Sequence, residues 1–301
     1  MATARGRAVV AALVVMVALV GAAAPAGTFL RGTLEGRAYR VWVPTRPSPG
    51  RPLVVALHGC WQTPEDFALG TRLNDAAERR GLVVVYPAQG RRENPYRCWN
   101  WFDPTQQTAT GTETGQILAV ARRVQAERGV RESRMIVLGF SAGAWMAVNL
   151  TCAVPDAVLG LGTLAGGPYR CAGGPEAAIQ CMRGPARDGA PAAAACAGGR
   201  LRGVRASLWH GALDSVVSAT NLTALEAMFG RVLGVSTGVS TTVEGAVHSV
   251  YRDIRGDYVL ETWLVPGMGH AWSGGDVRAT HTWPPGPSTT ERMLDFLLAG
   301  R

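Results

Sequence analysis

A serine whose neighbours suit a nucleophile lies in the segment Gly139–Gly143, which reads G-F-S-A-G and matches the pattern G-x-S-x-G. In a nucleophile elbow, a strand runs into such a serine and a helix follows it, so that the hydroxyl is lifted off the end of a sheet. The apolar run Met135–Leu138 predicts that strand, and the small residues from Ala142 onward predict that helix. We therefore predict that Ser141 is the nucleophile of an acyl-transfer reaction.

A second match to the same pattern, Gly234–Gly238, centres on Ser236 and provides an internal comparison. It follows a predicted helix and precedes the polar, β-prone residues Ser240–Val243, so neither condition for an elbow is met. A pattern this short also arises by chance in a chain with 38 glycines. We interpret Ser236 as a loop serine without a catalytic role.

A serine hydroxyl needs a histidine as its base and an acid that orients the histidine, because the free hydroxyl is a weak nucleophile at neutral pH. His270 lies in the glycine-rich segment Gly267–Gly275, directly after a predicted strand, and is the predicted base. Asp214 follows the predicted strand Ala206–Trp209 by a few residues and is the predicted acid. The chain order serine, acid, histidine is one of the known orders of catalytic triads.

Other histidines and aspartates compete for these two roles. The first histidine precedes Ser141 and breaks the chain order, the second packs locally beside the predicted acid, and the last two are interpreted as surface or loop residues. The competing aspartates lie among arginines, which is typical of surface ion pairs. The competitors are His58, His210, His248 and His281 for the base, and Asp253 and Asp257 for the acid.

An oxyanion hole for acyl transfer is built from two backbone amides, one after the nucleophile and one in the loop that follows an earlier strand. The first would be the amide of Ala142. The second would be that of Cys60, because it follows the predicted strand Leu53–Leu57 and because Gly59 permits a close approach of the backbone.

The elements that must position these residues alternate between buried strands and helices. Leu53–Leu57 and Leu82–Tyr86 are unbroken apolar runs, as expected of strands buried on both faces of a parallel sheet. Thr63 predicts the N-cap of a helix that extends to Gly81, and a similar cap at Ser288 begins the last helix. We predict an α/β fold with a mainly parallel sheet flanked by helices.

Composition excludes several classes of protein. The chain has 301 residues, 47% of them hydrophobic and 17% charged, which excludes a disordered chain, a coiled coil and a collagen-like repeat. The formal net charge is +8, carried by arginines that are scattered rather than clustered, so we predict no nucleic-acid partner. The sequence contains no motif typical of a metal or cofactor site, and we predict neither.

The N-terminal segment predicts export. Arg5 and Arg7 precede the apolar run Ala8–Val20, and small residues follow, with cleavage expected after Ala26. An uncleaved membrane anchor is the alternative. We predict a signal peptide over residues 1–26, a catalytic domain over residues 27–301, a secreted or periplasmic location and no membrane association after cleavage.

The sequence resembles the poly(3-hydroxybutyrate) depolymerase family of esterases, within the α/β-hydrolases. The resemblance covers nearly all of residues 37–300 and is specific, because a cysteine-bearing oxyanion loop, a C-W-N-W-F block and a G-H-A-W-S-G-G block occur together. The matching segments are Pro52–Cys60, Thr63–Phe67, Arg97–Phe102, Gly139–Ala144, His210–Asp214, Gly267–Gly275 and Gly286–Leu297.

The resemblance implies an α/β-hydrolase fold and the site already predicted from the residues. Its triad would be Ser141, Asp214 and His270, and its oxyanion hole would use the amides of Cys60 and Ala142. It also implies a disulfide between Cys60 and Cys98. Three tryptophans would line the acyl cleft, although a reading of the residues alone leaves them equally as core side chains; they are Trp99, Trp101 and Trp272.

Four further cysteines make the region around residues 166–199 a disulfide-stapled insertion after the nucleophile helix. They allow three pairings, of which we predict Cys171–Cys181 with Cys152–Cys196. For function, the resemblance implies a monomeric serine esterase that hydrolyses poly(3-hydroxybutyrate) or its hydroxyalkanoate oligomers through an acyl-enzyme. The alternatives are a feruloyl or acetylxylan-type esterase, an acyltransferase, and a non-catalytic binding protein on a hydrolase fold.

Overall fold

A ten-stranded sheet carries the loops on which the predicted functional residues lie. The computed structural model describes Met1 and residues 27–184, 189–199 and 201–300. Apart from Met1, the predicted signal peptide lies outside these described residues. Over the part of the chain that is described, no helix combines the length and the apolar character needed to cross a bilayer.

Ten strands form the large sheet and two short ones pair separately. The strands are β1 (Thr28–Leu34), β2 (Arg37–Val43), β3 (Val54–Leu57), β4 (Val84–Pro87), β5 (Met135–Phe140), β6 (Val158–Leu164), β7 (Arg205–Gly211), β8 (Val235–Val243), β9 (Ala246–Asp253), β10 (Tyr258–Val265), β11 (Trp272–Ser273) and β12 (Thr282–Trp283). Across the large sheet their order is β1-β2-β4-β3-β5-β6-β7-β10-β9-β8. The pairings from β4 to β10 are parallel, and those of the outer strands are antiparallel.

Helices cover both faces of the sheet. They are α1 (Pro64–Thr71), α2 (Leu73–Arg80), α3 (Thr112–Arg128), α4 (Ala142–Ala153), α5 (Pro175–Arg183), α6 (Ala190–Ala195), α7 (Thr220–Leu233) and α8 (Thr289–Leu298). Every residue of β5 and β6 is buried, as expected where helices lie on both sides of a parallel sheet. The predicted α/β fold is confirmed.

The two predicted helix caps are present, but one predicted helix is divided. The hydroxyl of Thr63 accepts a hydrogen bond from the Asp66 amide at 3.2 Å, and that of Ser288 accepts from the Glu291 amide at 3.4 Å. The helix predicted from Thr63 to Gly81 breaks at Arg72, whose φ of 54° is left-handed and ends α1 before α2 begins.

Two apolar layers enclose the sheet. One lies under α3, α4 and α7 and includes Ile117, Trp145 and Phe229. The other lies under α1, α2 and α8 and includes Phe67 and Met293. Because strands β3 to β7 are sandwiched between these layers, the loops at their carboxyl ends have a rigid base.

One disulfide fastens the predicted insertion to α4, and a second closes a loop within the insertion. Cys152, in the last turn of α4, pairs with Cys196, and Cys171 pairs with Cys181 of α5. These are the pairings predicted above. Residues 185–188, within the insertion, lie outside the described residues.

A β-hairpin forms the far edge of the sheet and was not predicted. Strands β8 and β9 are joined by Glu244 and Gly245, which both have positive φ values, as a tight two-residue hairpin turn requires. Ser236 therefore lies in an edge strand and not in the loop that its sequence context indicated.

Candidate active site

Ser141 occupies a sharp turn between β5 and α4. Its backbone angles, φ 54° and ψ −123°, lie in a region that a residue with a side chain rarely adopts. The turn is held from below, because the Ser141 amide donates to the Leu164 carbonyl of the next strand at 2.9 Å. The residue is only 7% exposed.

The glycines on either side of Ser141 are required by close packing of the backbone. A Cβ atom on Gly143 would lie 2.1 Å from the carbonyl oxygen of Leu57. A Cβ atom on Gly139 would lie 2.2 Å from the carbonyl oxygen of Gly143. The flanking positions of the pattern thus let α4 begin directly against the end of β3.

The structure brings Ser141, His270 and Asp214 into one hydrogen-bonded chain. His270 Nε2 lies 2.9 Å from Ser141 Oγ, and His270 Nδ1 lies 2.7 Å from Asp214 Oδ2. With Asp214 ionised, Nδ1 carries the proton and donates to the carboxylate, which leaves Nε2 free to accept from the serine hydroxyl. The His270 ring also packs against Phe140, with ring centroids 4.8 Å apart.

Asp214 is held by four groups that favour its charged form. Its Oδ1 accepts hydrogen bonds from the amides of Val216 and Val217 at 2.9 and 2.8 Å, while Oδ2 faces His270. Burial raises the pKa of this carboxyl, but the hydrogen bond and charge of His270, with the Val217 amide and His210, outweigh burial and lower it. Asp214 is therefore ionised at neutral pH.

The loop that carries the Cys60 amide is shaped by two polar side chains. His58 Nδ1 donates to the Gly59 carbonyl at 2.8 Å, and its Nε2 accepts from the Gln89 amide at 3.1 Å. The Gln62 side chain accepts from the Gly59 amide at 2.9 Å. Burial lowers the pKa of His58 to about 4, so the ring is neutral at pH 7, as this pair of hydrogen bonds requires.

A buried acidic group behind this loop was missed by the sequence reasoning. Glu113 accepts from the Asn100 side chain and amide at 2.7 and 2.9 Å, and from the Gln89 side chain at 2.6 Å. Burial raises its pKa despite these bonds. Its place in the amphipathic pattern of α3 gave no signal, since a helix of this composition normally exposes its glutamates. The network joins the loop that carries Cys60 to the C-W-N-W-F block, which the Cys60–Cys98 disulfide also connects.

The three tryptophans expected to line an acyl cleft are buried core residues, which corrects that expectation. Trp99 is fully buried and its indole N–H donates to the His58 carbonyl at 3.1 Å. Trp101 stacks on Trp145 with ring centroids 4.4 Å apart. Trp272 packs edge-on against Phe67, and its indole N–H donates to a threonine hydroxyl of α8.

Exposed apolar side chains lie instead on residues adjacent to the predicted site, and sequence reasoning missed them. They are Trp61, Tyr96, Leu213 and Val216. Trp61 directly follows Cys60, its amide donates to the Tyr96 carbonyl at 2.7 Å, and the two rings lie 5.1 Å apart. The signal that could have found Trp61 is its position in the sequence, directly after Cys60, whose amide is a predicted donor of the oxyanion hole.

Three of the competing histidines lie in different surroundings. His210 is buried beside Asp214, where it packs locally as predicted. His281 is exposed in a loop, also as predicted, and its ring centroid lies 6.0 Å from that of His270. Burial, and then the proximity of His270, lowers the pKa of His281. His248 pairs with Glu261 at 2.9 Å and lines a cavity of about 730 Å³ whose lining contains no member of the hydrogen-bonded chain.

The competing aspartate and the second serine of the pattern are structural. Asp253 accepts from the amides of Arg255 and Asp257 and so holds the turn between β9 and β10. The hydroxyl of Ser236 donates to the carbonyl of Arg252 at 3.2 Å. Asp257 is exposed and pairs with Arg255, as the sequence indicated.

This fold, with a serine at the turn after β5, is that of an α/β-hydrolase. The chain belongs to the esterase PHB depolymerase family, whose model matches residues 38–249. It is 35% identical to poly(3-hydroxyalkanoate) depolymerase C of Paucimonas lemoignei over 236 residues, which cover 76% of this chain but 56% of that protein. The chain therefore spans little more than half the length of that relative.

Two further comparisons widen the range of esterases to which the chain is similar. Feruloyl esterase B of Neurospora crassa is 28% identical over 244 residues, covering 76% of this chain and 81% of that protein. The solved structure of an acetyl xylan esterase from Aspergillus awamori matches with a TM-score of 0.65 at 18% identity, covering 81% of this chain and 94% of that one. The structural match supports the fold alone.

Proposed function

We propose that the protein is a secreted serine esterase whose catalytic triad is Ser141, Asp214 and His270. The observation that carries this proposal is the chain of two hydrogen bonds, 2.9 Å from Ser141 Oγ to His270 and 2.7 Å from His270 to Asp214. A nucleophile, a base within hydrogen-bonding distance and a charged group that orients the base are the components that acyl transfer requires.

In the proposed acylation step, Ser141 Oγ bonds to the ester carbonyl carbon as His270 Nε2 takes the hydroxyl proton. The bond to the alkoxy group then breaks, and His270 returns the proton to the leaving alcohol. Water repeats the sequence on the acyl-enzyme, releasing the carboxylic acid and restoring the serine. Asp214 holds the imidazole in the required tautomer and stabilises the imidazolium.

The negative charge of each tetrahedral intermediate would be bound by the amides of Ala142 and Cys60. Ala142 is the first residue of α4, where amides lack intrahelical partners and the helix dipole favours negative charge. The loop of Cys60 is held by His58, Gln62 and a disulfide, so its amide is fixed before substrate arrives. A preorganised pair of donors is worth several kcal/mol in such reactions.

For the substrate, we favour poly(3-hydroxybutyrate) or its hydroxyalkanoate oligomers. The 35% identity to a poly(3-hydroxyalkanoate) depolymerase supports this class. The exposed apolar residues Trp61 and Leu213, next to the proposed oxyanion loop and triad acid, would suit an apolar polyester better than a solvated sugar chain. A feruloyl or acetylxylan-type esterase is the second candidate, because similarity to feruloyl esterase B covers the same share of this chain.

Export is part of the proposal, with residues 1–26 as the signal peptide and residues 27–301 as the catalytic domain. Three disulfides, Cys60–Cys98, Cys152–Cys196 and Cys171–Cys181, favour an oxidising compartment such as the periplasm or the medium. Sequencing the N-terminus of the protein recovered from culture medium or periplasm tests this directly. Gly27 is the expected first residue, and an intact Met1 on exported protein would contradict cleavage.

A release assay on three substrates tests the proposed activity: polyhydroxybutyrate film, soluble hydroxybutyrate oligomers and methyl ferulate. We expect hydroxybutyrate from the first two, none of it from the Ser141→Ala variant, and a phosphonate ester to label Ser141 of the unmodified chain. Methyl ferulate hydrolysis without release from either hydroxybutyrate substrate would transfer the assignment to the carbohydrate esterases. Absence of product from all three together with no phosphonate labelling would reject the serine esterase.

A further inference from the structure

A second imidazole lies behind the carboxylate of Asp214. His210, near the end of β7, is completely buried, and its Nε2 is 3.5 Å from Asp214 Oδ2 and 3.0 Å from the carbonyl oxygen of Val217. Asp214 Oδ2 is thus close to two histidines: His270 Nδ1 at 2.7 Å and His210 Nε2 at 3.5 Å. His210 lies within β7, and His270 lies in the loop that follows the neighbouring strand β10.

The protonation of His210 follows from its partners. A carbonyl oxygen can only accept, so the contact with Val217 requires a proton on Nε2. Burial lowers the pKa of His210, which keeps the ring neutral and leaves Nδ1 without a proton. Nδ1 is buried and has no hydrogen-bond partner among the described residues.

This unpartnered nitrogen distinguishes His210 from a residue that only fills space. A leucine or phenylalanine at the end of β7 would avoid leaving a buried acceptor unsatisfied, and such groups are rare enough to need an explanation. The explanation offered by the contacts is the loop Gly211–Val217, which β7 continues into. The Val217 carbonyl accepts a hydrogen bond from His210 Nε2–H, and the Val217 amide donates to Asp214 Oδ1 at 2.8 Å.

We propose that His210 is a positioning residue for Asp214: its Nε2–H holds Val217 and lies against Oδ2, which fixes the carboxylate in line with His270. The inference rests on the proposed function, because it takes Asp214 as the acid of the triad. The titratable groups that face this carboxylate are His210 and His270, and His281 in turn faces His270. A fixed carboxylate keeps the His270 ring aligned with Ser141, so loosening it lowers kcat rather than raising KM.

Two substitutions separate the two nitrogens of the ring. His210→Gln places an amide nitrogen where Nε2 lies, while His210→Asn places one where Nδ1 lies and leaves Val217 without a donor. On a soluble p-nitrophenyl ester we expect the Gln variant to stay within about threefold of the unmodified enzyme. We expect the Asn variant to lose about tenfold or more in kcat, with little change in KM.

Equal kcat values in the two variants would overturn the proposal. If the Asn variant does not fold, ¹⁵N NMR of the unmodified protein decides, since an Nε2–H tautomer of His210 that does not titrate between pH 5 and 8 is required and a ring that becomes charged there contradicts it. The Ser141→Ala variant distinguishes a failure of the proposed function from a failure of the proposed role of His210. If it retains activity, the proposed function has failed, whereas if it is inactive and the Gln and Asn variants are alike, only the role of His210 has failed.

Discussion

Two serines in this chain have the same local sequence pattern and very different surroundings. Ser141 lies between a fully buried strand and a helix, with a strained backbone and His270 at 2.9 Å. Ser236 lies on β8, the outermost strand of the sheet, is exposed, and donates its hydroxyl proton to a main-chain carbonyl. The pattern G-x-S-x-G alone therefore does not identify a catalytic serine.

The two regions differ in which atoms pack against the glycine that ends each pattern. Around Ser141, main-chain atoms of β3 come so close to Gly143 that only glycine fits. Around Ser236, the nearest atoms to a Cβ on Gly238 belong to the side chain of Tyr251. A site that must hold a hydroxyl in one place is built from rigid main chain on several sides, whereas an edge strand has solvent on one side.

Replacing each serine by alanine gives the largest expected contrast. Ser141→Ala removes the proposed nucleophile, and we expect kcat on a soluble ester to fall by about 10⁵-fold or more. Ser236→Ala removes one hydrogen bond on an exposed strand and should leave kcat and KM unchanged. Steady-state kinetics of the two purified variants measure this. Comparable losses in both would show that the pattern, and not its surroundings, determines the role.

The proposed acid and its former competitor make a second matched pair. Asp214→Asn keeps the shape of the side chain but favours the wrong tautomer of His270, so we expect a loss of about 10⁴-fold in kcat. Asp253→Asn can still accept from the amides of its turn beside β8 and should retain full activity. Rates measured on the same ester from pH 5 to 9 provide the comparison. A fully active Asp214→Asn variant would remove Asp214 from the proposed triad.

Sequence alone predicted the parts of the structure in which local and long-range requirements agree. The apolar run of β5, the small residues after Ser141 and the glycines around His270 each match what their positions in a parallel sheet demand. The predicted strands Leu53–Leu57 and Met135–Leu138 correspond to β3 (Val54–Leu57) and β5 (Met135–Phe140). The G-x-S-x-G pattern and its flanking elements agree only at Ser141, so the sequence favours Ser141 over Ser236 as the candidate nucleophile.

The features that sequence did not predict depend on contacts between distant segments. The left-handed Arg72 that divides α1 from α2 has no local signature, since arginine is a good helix former. Trp99 and Trp101 looked equally suited to a cleft or a core, and their burial depends on partners about forty residues away in His58 and Trp145. The buried Glu113 is accounted for only once Gln89 and Asn100 are seen around it.

The corresponding glycines of the two patterns sharpen the comparison at the level of stability. Gly143→Ala places a methyl group against the carbonyls of Leu57 and His58, which cannot move without displacing β3, and we expect a loss of about 1–3 kcal/mol of unfolding free energy. Gly238→Ala meets only the Tyr251 ring, which can shift at the sheet edge, so about 1 kcal/mol or less is expected. Urea titrations at pH 7 measure both values. A Gly143→Ala variant as stable as the unmodified protein would contradict the packing argument.

Acid sensitivity should also separate the two regions, because the loop beside Ser141 depends on a buried neutral histidine. The unfolded chain binds a proton at His58 near pH 6.5, but the folded chain only near pH 4, so between these values unfolding takes up a proton and stability falls with decreasing pH. From pH 7 to pH 5 this site alone contributes a loss of about 2 kcal/mol. The lowered pKa of His210 acts in the same direction.

The His58→Asn variant isolates this effect, since its amide can still donate to the Gly59 carbonyl but does not titrate. Its lower stability at pH 7 should be accompanied by a shallower fall between pH 7 and pH 5, seen as a smaller change in the urea-unfolding free energy. In the unmodified protein, hydrogen exchange at pH 5 should show weaker protection of the Gly59 and Gln89 amides than at pH 7. Protection in β8 and β9 should be unchanged. Equal pH slopes in the two proteins would mean that His58 is not the group that makes the region of Ser141 acid-sensitive.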